Sequence, residues 1–235
     1  MPKPHTPPRL NRRCRWNIMV AFSIVAVFCS AGAQASEIIL QNDSIPSPGS
    51  GAPLLAFLQG EIVASWFTTP VAGDIVGVQV LWNSNLGPNP PSQEMAITVY
   101  AAGPFPTPGA PLAVVTAPVL TDGSINEFRF LDPPADTTAL QVAVSANQTF
   151  AVGLEFLNQS SGNPFASGVE IDLDGCQAGL NSVFVLPGGW NDACLLGVTG
   201  DFGIRAIINP IPEPMTLSFL AFSALGLFLR RRATG

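Results

Sequence analysis

The sequence predicts an all-β domain: an antiparallel two-sheet, jelly-roll-like β-sandwich between an N-terminal signal peptide and a C-terminal apolar helix of near membrane-spanning length. Three observations lead there. From 36 to 209, short apolar runs alternate with turn residues, and nothing reads as a long amphipathic helix. Gly (22) and Pro (23) are both frequent while only 11% of residues are charged, the composition of turn-rich exported proteins. Apolar residues make up 47% of the chain, which argues against disorder and supplies one full core.

Residues 1–35 carry the three parts of a secretory signal peptide. A basic segment ends near Arg15 and an apolar segment runs from 18 to 30. Ala33-Gln34-Ala35 offers signal peptidase its small residues, with Ser36 as the new N-terminus. Arg12-Arg13 lacks the flanks of a twin-arginine signal, and Phe28 beside Cys29 makes a poor lipoprotein site.

In the domain of 36–209, strands are expected at 37–40, 61–68, 75–82, 95–101, 112–120, 125–131, 140–145, 149–156, 168–173, 182–186 and 202–208. The period of two is clearest in Glu127-Phe128-Arg129-Phe130-Leu131 and in Phe150-Ala151-Val152-Gly153-Leu154-Glu155-Phe156. Stretches 44–53, 87–92 and 103–111 are rich in Pro and Gly and read as loops. Asp122-Gly123 predicts a hairpin turn, and Gly188-Gly189 another. Strands this short and this evenly spaced bury their apolar faces by pairing two sheets.

Charge is unevenly spread. Of ten basic residues only Arg129 and Arg205 lie in 36–211, whereas fifteen of the sixteen acids do, a formal charge of −13. Such a surface disfavours nucleic acid and anionic lipid, and suits divalent cations or neutral and cationic polymers. His5 and Lys3 are both in the leader. Without them the domain has no Ser-His-Asp or Cys-His catalysis, no His-based metal site, no Schiff base and no phosphate-loop lysine. A carboxylate pair still fits a glycosidase-type hydrolase, set against the plainer reading of solvated acids on strand faces and turns.

Cys14 and Cys29 leave with the leader. Cys176 and Cys194 remain, an even pair in an oxidising compartment, and a disulfide is expected. Two thiolates without a His make a poor zinc site.

Glu170, Asp172 and Asp174 are spaced by two, so a strand would point all three to one face and Ile171 and Leu173 to the core. Three carboxylates in a row suit calcium, the one cofactor the sequence suggests. The plainer reading is an exposed strand whose charge deters edge-to-edge pairing. Asp192 joins them only if a Cys176–Cys194 bridge draws the loops together. Trp66, Trp82, Trp190 and Tyr100 are candidates for stacking on sugar rings. Trp66 and Trp82 have apolar neighbours and read as core. Trp190 follows two glycines in a polar loop; it is the best placed of the four for an exposed sugar contact, although packing over the disulfide is its plainer role. The sequons at Asn42, Asn147 and Asn158 are short enough to arise by chance.

Residues 210–235 hold three parts in order: Pro212-Glu213-Pro214, an uncharged run from 215 to 229, and Arg230-Arg231-Arg232. The prolines fix φ and remove two donors, so the tripeptide stays extended and readable. As a helix the apolar run would span roughly 22 Å at ~1.5 Å per residue, and Thr216 and the arginines would complete a minimal membrane span. This tail resembles the PEP-CTERM sorting signal of Gram-negative bacteria, with Ile211 and Met215 where that family has Val and Ala. The resemblance implies recognition and removal of the tail by exosortase, a membrane protease-transferase. It also implies transient inner-membrane anchoring and then release to the envelope, surface or extracellular polymer layer.

A second likeness covers the domain. Ala96-Ile97-Thr98-Val99-Tyr100, Pro108-Gly109, Gly188-Gly189-Trp190-Asn191-Asp192 and Asp201 to Ala206 are similar to secreted bacterial β-sandwich domains that accompany such tails. Three functions follow as expectations: a non-catalytic exported surface or matrix protein; a module that binds exopolysaccharide, with or without calcium; and a carboxylate-based hydrolase.

Overall fold

The structure, a computed structural model, describes residues 36–84, 91–157 and 167–211. Ala33, Ala35, Pro212 to Pro214 and Arg230 to Arg232 lie outside the described residues. Those described belong to one compact unit, Ser36–Ile211. Their strands, in chain order, are β1 (Ile38–Leu40), β2 (Ala52–Leu54), β3 (Ile62–Thr68), β4 (Gly73–Ser84), β5 (Ser92–Gln93), β6 (Ala96–Ala101), β7 (Pro111–Thr116), β8 (Val119–Leu120), β9 (Ile125–Phe128), β10 (Val142–Val144), β11 (Thr149–Glu155), β12 (Ser167–Ile171), β13 (Asn181–Val185), β14 (Gly189–Asp192) and β15 (Ile204–Pro210). The only helix among the described residues is a single 3-10 turn, Cys194–Leu196.

The pairings are antiparallel, and one sheet curls into half a barrel. One sheet has the order β1-β15-β4-β12-β2, with β9 and β10 on the other side of β4. The second has the order β14-β13-β3-β11-β6-β7, and β5 pairs with β8. The two large sheets share one core and are sandwich-like. Val63, Phe67, Ile97, Val99, Phe150, Val152 and Leu154 from the six-stranded sheet meet Val78, Val80, Trp82, Ile204 and Ala206 from the other. Each large side chain buried in this way stabilises the fold by about 1.5–3 kcal/mol.

The departures from expectation have local causes. The run 112–120 breaks into β7 and β8 because Ala117 takes a left-handed φ of 50°, which no ladder accommodates. β2 forms inside a stretch that reads as loop because of Pro53. It is an edge strand, where a missing N–H costs no ladder bond. The strand expected over 168–173 stops at Ile171, and Leu173 is 75% exposed rather than in the core. Trp190 is on strand β14, paired with Phe184, rather than in a loop.

Candidate functional site

Six of the fifteen acids of this domain are buried. Glu170 and Asp172 are buried at the end of β12, whereas Asp174 is exposed beyond it. Glu170 accepts the Gly49 N–H at 2.7 Å and the Gly51 N–H at 3.4 Å. Asp172 accepts the Ser44 N–H at 2.9 Å and the Asp201 N–H at 2.8 Å. Their oxygens therefore bind the 44–51 loop to the sheet. Among the described residues, no three of His, Cys, Asp or Glu are grouped to hold a metal ion.

The same device recurs. Glu61 accepts the N–H of Leu58 and of Leu186, at 2.9 and 3.0 Å. Glu94 accepts the Trp82 indole N–H at 3.1 Å and the Leu157 N–H at 2.7 Å. Asp201 accepts the backbone and side-chain N–H of Gln177 and the Asn181 amide. Asp192 accepts the Cys194 N–H at 2.9 Å, beside the disulfide that joins Cys194 to Cys176. A carboxylate that accepts loop N–H groups replaces the water those donors lose on burial. For Glu170 and Asp201 burial outweighs these bonds and raises both carboxyls above their ordinary pKa.

Both cations of the domain are engaged as well. Arg205 is buried and bonds Asp43 through Nε (3.0 Å) and Nη2 (2.6 Å), with the Ile45 carbonyl at 2.9 Å. Arg129 forms a fork with Glu37, two bonds of 2.8 Å, and bonds Glu127 at 2.5 Å. A shallow depression of about 470 Å³ is lined by Glu127, Phe128, Arg129, Pro133, Pro134 and Asp136, among others. Its one arginine is already neutralised by Glu37 and Glu127, which weakens it as an anion site.

The remaining candidate is the outward face of the six-stranded sheet. Strand alternation turns Phe150, Val152 and Leu154 inward, which leaves Ala151, Gly153 and Glu155 outward. The register then aligns one cross-strand row: Trp190 beside Phe184, Phe184 beside Ile62, Ile62 beside Glu155, and Glu155 beside Ala96. Tyr100 reaches this row from β6. Its ring passes over Gly153, where a built Cβ would meet Tyr100 Cε2 at 3.1 Å and Ile62 Cγ2 at 3.0 Å. The Tyr100 and Trp190 rings meet edge to face at 6.3 Å, and Phe184 lies 5.6 Å from Trp190. Trp190, Phe184, Tyr100 and Glu155 are all half-buried. Trp66 is buried as expected, bonds the Ser182 hydroxyl through its indole, and packs on Phe105.

Comparison with known proteins gives no matching family model, no matching curated relative and no matching solved structure. The sequence already marks Trp190 and Tyr100. It understates Glu155 and Phe184, whose signal is the phase of their strands: a charge on the outward phase of an otherwise apolar strand, and a Phe opposite a Trp.

Proposed function

We propose that this chain is an exported, non-catalytic surface or extracellular-matrix protein that carries a jelly-roll-like sandwich and is sorted by a PEP-CTERM tail. In this reading signal peptidase removes 1–35, the tail holds the protein in the inner membrane for a time, and an exosortase-type protease-transferase then acts at Pro212-Glu213-Pro214.

The observation that carries the reading is the end of the sheet ladder. The Ile211 N–H donates to the Ala72 carbonyl at 3.0 Å, and Pro212 is the next residue. The last described residue of the fold and the sorting segment are thus contiguous in sequence. The Cys176–Cys194 disulfide supports an oxidising destination. Ile38 pairs with Ile208, so both ends of the domain emerge side by side, which suits a domain attached at one end and displayed at the other. The absence of His and Lys from the domain leaves a carboxylate-based hydrolase as the weaker alternative, since the buried acids are committed to loop N–H groups. A calcium ion at Glu170 and Asp172 would compete with those donors for the carboxylate oxygens.

The test is the intact mass of the protein from its own host, with and without the gene for the sorting protease. Loss of 1–35 and of the residues after about Pro212, only when the protease is present, is the expected result. A tail retained in both strains overturns the reading and makes the protein a conventionally anchored one.

A further inference from the structure

The outward row of the six-stranded sheet holds three groups that the fold itself does not use up. The Trp190 indole N–H and the Glu155 carboxylate have no hydrogen-bond partner among the described residues, in contrast to the indoles of Trp66 and Trp82. Tyr100 offers the second ring surface. Glu155 stands out among the half-buried and buried acids. Glu61, Glu94, Glu170, Asp172 and Asp201 each accept loop N–H groups; Glu155 is desolvated without any such compensation, and burial raises its carboxyl above the ordinary range. A partly desolvated carboxylate on the same sheet face as Tyr100 is completed best by an ammonium group, which pairs with its charge through hydrogen bonds.

The occupant's charge follows from the rest of the domain. A formal −13 over 36–211, with Arg129 and Arg205 both consumed by carboxylates, repels acidic polymers and attracts cationic ones. The occupant's shape follows from the row. Trp190 and Glu155 are on strands three spacings apart, about 14 Å, so the site is a flat strip longer than one sugar ring rather than a closed pocket. Gly153 and Ala64 floor it with small residues, which lets the Tyr100 ring lie along the sheet over Gly153, and both rings stay half-exposed.

From this we infer that the outward face of β14, β13, β3, β11 and β6 binds a polysaccharide strand bearing free amino groups, with Trp190 and Tyr100 as the stacking surfaces and Glu155 as the partner of a sugar ammonium. This deepens the reading above, in which the protein is delivered to an extracellular polymer layer. It names the polymer by its chemistry.

The experiment uses the exported protein purified from its own host, in detergent if the tail is retained, so that a failure of the sorting reading shows in the mass and a failure of binding shows in the titration. Binding is measured by isothermal titration calorimetry with a glucosamine hexamer, an N-acetylglucosamine hexamer, a polyuronate oligomer and oligolysine. The glucosamine hexamer is expected to bind most tightly, the N-acetylated hexamer to bind at least tenfold more weakly, oligolysine to bind at least tenfold more weakly and without dependence on Trp190, and the polyuronate not to bind. Glu155→Gln is expected to remove the preference for the free amine at least tenfold while leaving the N-acetylated affinity in place. Trp190→Ala should weaken both, and Trp190→Phe should retain part of each, which guards against a misfolded variant. Equal binding of oligolysine, tight binding of the polyuronate, no binding of either hexosamine, or binding that ignores both Trp190→Ala and Glu155→Gln would each overturn the assignment.

Discussion

The rings of Tyr100 and Trp190 meet edge to face with centroids 6.3 Å apart, although three strands separate β6 from β14 in the sheet. They meet because the strands between them offer Ala64 and Gly153 on that face, and a side chain at Gly153 would strike the Tyr100 ring. Edge-to-face pairs contribute about 0.5–1.5 kcal/mol beyond area burial. A double-mutant cycle with Tyr100→Leu and Trp190→Leu, read by urea unfolding, is expected to give a coupling of about that size.

The Asp43–Arg205 pair is buried and hydrogen-bonded throughout. Arg205→Leu leaves a buried carboxylate without its partner and is expected to cost about 3–5 kcal/mol. Replacing both residues with apolar ones of similar volume should cost much less. Denaturant midpoints of the two single variants and the double variant check this.

Reduction of Cys176–Cys194, separated by 18 residues, is expected to destabilise the protein by about 3 kcal/mol through the freed chain entropy of the unfolded state. Cys176→Ser with Cys194→Ser should give the same loss without reductant, measured as a shift in the urea midpoint.

Burial raises the Glu170 and Asp201 carboxyls, so each binds its proton more firmly folded than unfolded. Their contribution is fully present below the ordinary carboxylate pKa and is lost as pH rises through the raised folded value. Glu37, Glu127 and Asp132 are shifted down, mainly by hydrogen bonds from Arg129, Gln79 and Thr137 respectively. Their contribution has the opposite slope. The difference between wild type and Glu170→Gln isolates the first effect: relative to wild type, the variant should gain stability from acid toward neutral pH. Urea midpoints across that range read it, and an unchanged difference would remove the argument.

Millimolar calcium is expected to leave the thermal midpoint unchanged, because Glu170 and Asp172 already bond the N–H groups of Gly49, Ser44 and Asp201. A rise that a chelator reverses would show that the ion displaces them.

Much of the architecture was legible in the chain. Alternation in Phe150 to Phe156 is inward and outward packing in β11, and the even cysteine pair is the disulfide. The acids were less legible. Spacing by two puts Glu170, Asp172 and Asp174 on one face only while the strand lasts, and β12 ends at Ile171. Burial of the first two depends on N–H groups from the 44–51 loop, more than a hundred residues earlier.

Composition, strand periodicity and cysteine number by themselves determined that the domain of 36–209 is all-β, antiparallel and cross-linked, because those properties arise from local patterns that any compact arrangement must respect. Only the tertiary structure decided which carboxylates are consumed by the fold and that the half-buried Glu155 is left on the outward face with the aromatic row. That depends on register between strands distant in sequence, where a slip of one residue exchanges the inward and outward faces.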